Sequence, residues 1–212
     1  MAKKKPWSGK RGRAPKGARP RRKVLVLCED TKSSALYFRA FPIDSERFEV
    51  AIVGTGMNTD RLVEEAIERV ARSKEHGIQY SDVWCVLDRD SFPEQNYNRA
   101  FQLATAKGIK IAWANEAFEL WYILHFDYLC TGLSRNQYKH KLQERGLDYD
   151  KADEGIYGKL RDHQPTALRN AQRLEAHWRQ SGRGLPEREN PSTSVHQLVD
   201  VLNDLAALPP AH

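Results

Sequence analysis

The chain has 212 residues, of which 40 % are apolar and 29 % charged, a composition typical of a globular protein with a well-buried core. No apolar run approaches the roughly 18 residues that a membrane-spanning helix needs. The basic N-terminus lacks the apolar stretch and small-residue cleavage pattern of a signal peptide. We therefore expect a cytoplasmic protein with no membrane contact.

The net charge of +6 comes from the N-terminus, where residues 1–23 contain eleven Lys or Arg and no acid. This tail, taken as residues 1–22, is too polar to bury a core and is predicted to be disordered. Polybasic arms bind nucleic acids by counterion release; a tail that only aids solubility is the alternative. The residues expected to contact nucleic acid are Lys3, Lys4, Lys5, Lys10, Arg11, Arg13, Arg21 and Arg22.

The first half of the chain alternates between predicted strands and helices. KVLVLCE (23–29) and RFEVAIVG (47–54) are predicted strands, separated by the short helix SALYFRAF, which ends at Pro42. After a Gly-rich loop, apolar residues at spacings of three and four predict a helix capped by Asn58 or Thr59 and ended by Gly77.

VWCVL (83–87) and IKIAWAN (109–115) predict the third and fourth strands, with a helix between them that ends at Gly108. NEAFELWYILHF (115–126) predicts a buried helix. Such alternation indicates βαβ units and a central, mostly parallel sheet, that is, an α/β fold. We expect an α/β core over residues 23–127 and a helical C-terminal part, residues 128–212, packed on it.

The C-terminal part shows four helical patterns: SRNQYKHKLQERG, IYGKLRDH, TALRNAQRLEAHWRQ after Pro165, and PSTSVHQLVDVLNDL. In the last pattern, Asn190–Thr193 is interpreted first as a helix cap. The three cysteines, Cys28, Cys85 and Cys130, lack CxxC spacing and are predicted to be buried, reduced thiols.

Acidic side chains follow two of the predicted strands. Glu29 ends the first strand, and Asp88 and Asp90 end the third. The carboxyl ends of parallel strands share one edge of a sheet, where such folds bind ligands. Carboxylates there suit Mg²⁺, which can polarise a phosphoryl oxygen and activate water. Acids that merely solvate strand ends are the alternative.

A glutamate after one strand and Asp-x-Asp after a later one resemble the Toprim catalytic pattern of topoisomerases, primases and OLD-type nucleases. More specifically, the chain resembles the RloB-like family of bacterial defence-associated proteins, which have a Toprim-like core. The matching segments, which span about residues 24 to 203, are VLVLCEDTKSSALYF, VGTGMNTDRLVEEA, VWCVLDRDSF, NEAFELWYILHF and NPSTSVHQLVDVL.

The resemblance implies a Toprim/Rossmann-like core in which Asp88 and Asp90 hold Mg²⁺ or Mn²⁺ and Glu29 acts either as general acid/base or as an additional ligand. It also implies phage defence, including abortive infection, with either a homo-oligomer or a partner protein of the defence system. The chain lacks the tyrosine-bearing domain of topoisomerases and the zinc module of primases. Asp30 stands where Toprim relatives often have Gly, so it is either an added ligand or the sign of an altered site.

Four further candidates have two interpretations each. Glu119 is either another metal ligand or half of a buried ion pair, and His125, on a different face of the same helix, is either functional or a core residue. The loop that contains Gly54, Gly56 and Asn58 is either a phosphate cradle or a tight turn. Arg89 contacts phosphate or pairs with the neighbouring aspartates.

Two functions remain open at this point. The first is a Mg²⁺-dependent nuclease that cleaves RNA (tRNA included) or DNA in anti-phage defence, with a slight preference for RNA. The second is a non-catalytic subunit that senses nucleic acid or nucleotide through the same pocket.

Overall fold

The computed structural model describes residues 22–89, 94–182 and 188–206. Its strands are β1 (Arg22–Cys28), β2 (Phe48–Gly54), β3 (Asp82–Asp88), β4 (Lys110–Asn115) and β5 (Ser192–Thr193). Its α-helices are α1 (Ser33–Arg39), α2 (Thr59–Glu75), α3 (Glu94–Lys107), α4 (Glu119–Leu124), α5 (Arg135–Glu144), α6 (Ile156–Leu160), α7 (Gln164–Gln180) and α8 (Val195–Asp204). A 3₁₀ turn, Arg161–His163, joins α6 to α7.

The strands form one sheet in the order β2-β1-β3-β4-β5. The first four are parallel, and β5 pairs antiparallel with β4. This confirms the predicted α/β fold with a mostly parallel sheet. The ends of β1, β2, β3 and β4 therefore meet along one side of the sheet, called the carboxyl edge below.

The sheet is covered on both faces, and the alternation along β1 shows how. Val24 and Val26 belong to a core cluster with α1 and the helices α4 to α8, whereas Leu25 and Leu27 pack with α2 and α3. Successive side chains of a strand point to opposite faces, so a strand buried on both sides is apolar throughout. The apolar run in KVLVLCE is the direct consequence of this double burial.

The helix ends follow the local sequence, with two differences from the prediction. α2 begins after Asn58 and ends before Gly77, whose φ of 72° suits a residue without a side chain. α4 is shorter than predicted, since it runs over Glu119–Leu124 and not over the whole of 115–126. Pro165 lies inside the first turn of α7 rather than before it, a position where its missing N–H costs no hydrogen bond.

The segment predicted as a helix cap, Asn190–Thr193, also contains a strand, Ser192–Thr193. Thr193 Oγ1 donates to the Trp113 carbonyl (2.7 Å), and Ser194 Oγ bridges Trp113 N and the Ile111 carbonyl (both 3.1 Å). Capping is a second role, since Thr193 Oγ1 also accepts from Val195 N at 3.1 Å. The C-terminal part is thus not purely helical, because it adds a strand to the sheet.

The cysteines and the membrane expectation can be compared with the structure directly. Cys28 and Cys85 are buried as predicted, but Cys130 is exposed, because it lies in the loop after α4 rather than in a strand. Within the described ranges, no helix has the length and apolar character needed to cross a membrane.

Candidate active site

Glu29 and Asp88 meet at the carboxyl edge. β1 and β3 are parallel neighbours with Cys28 opposite Val86, so Glu29 comes opposite Leu87, one position before Asp88. Glu29 N donates to the Val86 carbonyl (3.0 Å), and Glu29 Oε2 accepts a hydrogen bond from Asp88 N (3.3 Å). Two of the three predicted carboxylates are therefore brought together, and Asp90 lies outside the described residues.

Asp88 is surrounded by negative charge. Burial raises the pKa of its carboxyl group well above the ordinary value of 3.8, and the charges of Glu119, Glu29 and Asp30 raise that pKa further. Arg135 acts in the opposite direction, with Nη2 3.7 Å from Asp88 Oδ2. The Asp88 side chain remains 22 % exposed, so its surroundings have an open side.

Glu119, the first residue of α4, adds a third carboxylate near Asp88. It is 6 % exposed and accepts a hydrogen bond from the Tyr149 hydroxyl at 2.5 Å. Burial, and then the charge of Glu119, raise the pKa of Tyr149. The nearest ammonium group, Lys151 Nζ, lies 3.9 Å from Glu119 Oε1. The predicted ion pair therefore exists only as a long contact, and the phenol is the closer partner.

Asp30 organises the loop that leads into α1. Its Oδ1 accepts from Lys32 N (2.7 Å), and its Oδ2 accepts from Ser34 N (3.1 Å) and from the Ser34 hydroxyl. Both oxygens are used locally, which favours a structural role over that of an added ligand. Its charge nevertheless contributes to the raised pKa of Asp88.

A cleft of about 680 Å³ lies beside Glu119, a feature that sequence reasoning missed. Arg135, at the start of α5, connects this cleft to Asp88. The lining residues are Glu119, Arg135, Asn136, Lys139, Gln143, Asp148, Tyr149, Asp150 and Lys151. Most are polar and exposed residues, whose sequence pattern is that of an ordinary solvated helix face and loop.

The donor set suits a hard divalent cation. Across residues 22–89, 94–182 and 188–206, no group of three or more His, Cys, Asp or Glu is arranged to hold a metal ion. Mg²⁺, however, usually takes only one or two carboxylates and completes its shell with water and substrate oxygens. Glu29 and Asp88 supply two such groups, and the crowding of carboxylates around Asp88 is what a cation would relieve.

The Gly-rich loop ties β2 to β1. Thr55 N donates to the Cys28 carbonyl (3.0 Å), Gly56 N to the Glu29 carbonyl (2.8 Å), and Met57 N to Thr55 Oγ1 (3.1 Å). Three amides are thus already used, while Asn58 is the N-cap of α2. Gly54 allows close packing, since a Cβ there would lie 2.6 Å from Thr31 Cα. The phosphate-binding role of Gly54, Gly56 and Asn58 stays a prediction. Because these amides already donate within the protein, the loop has fewer N–H groups left to bind a phosphate.

Arg89 and His125 have contacts away from the carboxylates. The Arg89 guanidinium lies over the Tyr97 ring, 5.4 Å from its centroid. His125 is 1 % exposed, and its Nδ1 is 2.9 Å from the Trp121 carbonyl. Burial lowers the pKa of His125 to about 4, so the ring is neutral near pH 7. These contacts favour a core role for His125.

Of the residues predicted to contact nucleic acid, the structure describes Arg22, at the end of β1 opposite to Glu29. Lys3, Lys4, Lys5, Lys10, Arg11, Arg13 and Arg21 lie outside the described residues. Arg22 begins β1, where its guanidinium pairs with Asp82 and donates to Ser81 Oγ. This pairing reduces its availability for nucleic acid. A strand of seven residues is about 20 Å long, which separates Arg22 from Glu29.

Comparison with known proteins identifies one family. A family model described as RloB-like protein matches residues 24–202. No curated protein and no solved structure matches the chain. The matched range includes β1 to β5 almost completely, together with Glu29, Asp88, Glu119 and Arg135.

Proposed function

The chain belongs to the RloB-like protein family, and from this premise we propose that it is a metal-dependent nuclease. One observation carries the proposal: Glu29 and Asp88, with Glu119 nearby, gather at the carboxyl edge next to a cleft that contains cationic side chains. Metal-assisted phosphodiester hydrolysis uses carboxylates that hold the metal, and cationic side chains bind phosphate oxygens. The proposed core chemistry is of the Toprim type.

Each residue has a role that follows from its surroundings. Glu29 and Asp88, joined by Asp90, would hold Mg²⁺ or Mn²⁺; such an ion would polarise a phosphoryl oxygen and lower the pKa of bound water. Glu29, oriented by Asp88 N, accepts the proton of the attacking water. Glu119, fixed by the Tyr149 hydroxyl, adds negative charge that favours cation binding at Asp88.

The proposed substrate is RNA, tRNA included, with DNA as the second choice, and the proposed setting is defence against phage. The basic tail would hold the nucleic acid by counterion release. These parts of the proposal rest on the charge of the tail and on the family resemblance.

A binding role without catalysis is the second candidate, and Arg135 favours it. Its guanidinium lies 3.7 Å from Asp88 Oδ2, so it supplies part of the positive charge that a metal would bring. A subunit that senses nucleotide or nucleic acid would need no metal at this position.

Cleavage of labelled tRNA and of single- and double-stranded DNA with Mg²⁺ or Mn²⁺ separates the two candidates. We expect metal-dependent cutting by the wild type and losses of about 10²- to 10⁴-fold in Glu29→Gln, the range for general acid–base groups. Asp88→Asn should lose at least as much. A wild type that cuts none of these substrates, or variants that cut equally well, would contradict the nuclease proposal.

A further inference from the structure

Two separate segments supply cationic side chains to the cleft beside Glu119. Arg135 and Lys139 come from α5, and Lys151 follows Tyr149 in the next loop. Residues four apart lie on the same face of a helix, so α5 presents Arg135 and Lys139 together. The cleft therefore has three donors of the kind that bind phosphate oxygens.

Two carboxylates of the cleft, those of Asp150 and Glu119, already accept hydrogen bonds from other groups of the protein. Asp150 Oδ1 accepts from Ala152 N (2.9 Å) within its own turn, and Glu119 accepts from Tyr149. By contrast, Lys139 has no carboxylate within 4.0 Å among the described residues, and the contact of Lys151 with Glu119 is long, at 3.9 Å. Asp148 also lines the cleft, exposed to solvent, and its charge acts on Lys159 as well. Lys139 and Lys151 are thus the ammonium groups of the cleft that no close ion pair holds within the described residues.

We infer that this cleft binds a phosphate group of a nucleic-acid strand, next to the bond that is cut, through Arg135, Lys139 and Lys151. The inference rests on the proposed function, because Arg135 also contacts Asp88 and so joins the cleft to the carboxylates. A volume of about 680 Å³ is in the usual range of small-ligand sites, large enough for a nucleotide. Lys139 and Lys151 are positioning residues, which hold the strand while the carboxylates act on it.

Calorimetric titration with the 5′-phosphorylated dinucleotide pUpU, in EDTA and with the full chain, tests this site without any metal. A dinucleotide gains little from the basic tail, because few counterions are released. The test variant is Lys139→Ala/Lys151→Ala. The control, Lys74→Ala/Lys107→Ala, removes the same charge from exposed positions on α2 and α3. We expect about a 10-fold or greater loss of affinity in the test variant only.

In the presence of metal, the test variant should show a raised KM with a smaller change in kcat. Because Lys139 and Lys151 are exposed, both variants should unfold at the temperature of the wild type. The inference is overturned if the wild type does not bind pUpU, if the test variant binds it equally well, or if both double variants weaken alike. If pUpU binds through these lysines but no nucleic acid is cut, the nuclease proposal fails and the phosphate site stands.

Discussion

At the scale of residues, the two ends of β3 carry aspartates with opposite properties. Burial would raise the pKa of Asp82, but hydrogen bonds from Lys110 and Arg22 outweigh it and hold that pKa below 3.8. Asp88, six residues later, has its pKa raised by burial and by neighbouring carboxylates. Asp82 is thus a paired, stabilising carboxylate. Asp88 is kept in a costly environment, as functional groups often are.

The raised pKa of Asp88 predicts a pH dependence of stability. A carboxyl group with a raised pKa in the folded state contributes stability at low pH, which is lost as the pH rises through that pKa. In EDTA, the melting temperature of the wild type should therefore fall relative to that of Asp88→Asn between pH 5 and pH 8. Mg²⁺ should raise the melting temperature of the wild type more at pH 8 than at pH 5, because the metal binds the ionised carboxylate of Asp88.

Thermal unfolding in EDTA and in Mg²⁺ at both pH values checks this expectation. Asp82→Asn is the matched control on the same strand, and it should be less stable at pH 8 because it removes favourable pairs. If the melting temperatures of the wild type and Asp88→Asn change with pH in parallel, the ionisation of Asp88 does not destabilise the fold and the expectation is wrong.

At the scale of elements, the sequence predicted the four long strands but not β5 or the cleft. The apolar runs, together with the rule that parallel strands end at one edge of the sheet, were enough to predict that Glu29 lies near Asp88. β5 has only two residues, too few to show alternation. Arg135 lies 47 positions after Asp88 in the chain, and the docking of α5 that brings them together has no local signal. The sequence alone does not distinguish a metal-binding role of Asp30 from its role in holding the loop before α1.

The side-chain hydrogen bonds of Ser194, the residue after β5, should contribute measurably to stability. Ser194→Ala removes the hydroxyl that bridges Trp113 N and the Ile111 carbonyl. Because Ser194 is 1 % exposed, these groups lose a buried partner, and we expect a loss of about 1–3 kcal/mol. Urea unfolding measures it, with the exposed Thr105→Ala as control. A loss no larger than in the control would show that the Ser194 hydroxyl does not stabilise the fold.

At the scale of the whole molecule, Arg22 and the carboxylate of Glu29 are at opposite ends of β1. Arg22 is the first residue of that strand and pairs with Asp82. Residues 1–21 contain nine Lys or Arg, whereas the rest of the chain has more acids than bases. Recruitment and cleavage are therefore expected to depend on different parts of the molecule.

Removal of residues 1–21 should weaken the binding of long RNA or DNA and leave the melting temperature unchanged. Each lost phosphate contact should reduce the slope of log K against log salt by about 0.7 for single strands. Fluorescence anisotropy across a salt series measures this slope. Equal affinity and slope in the truncated protein would mean that the tail has no binding role.

The central claim is that the carboxyl edge of the sheet binds a divalent cation through Asp88 and Glu29. Titration of Mn²⁺ at pH 8, followed by electron paramagnetic resonance, tests it without any assumption about the substrate. We expect a site in the wild type that is retained in Asp82→Asn and lost in Asp88→Asn and Glu29→Gln. Equal Mn²⁺ binding by all four proteins, or none by the wild type, would contradict the account.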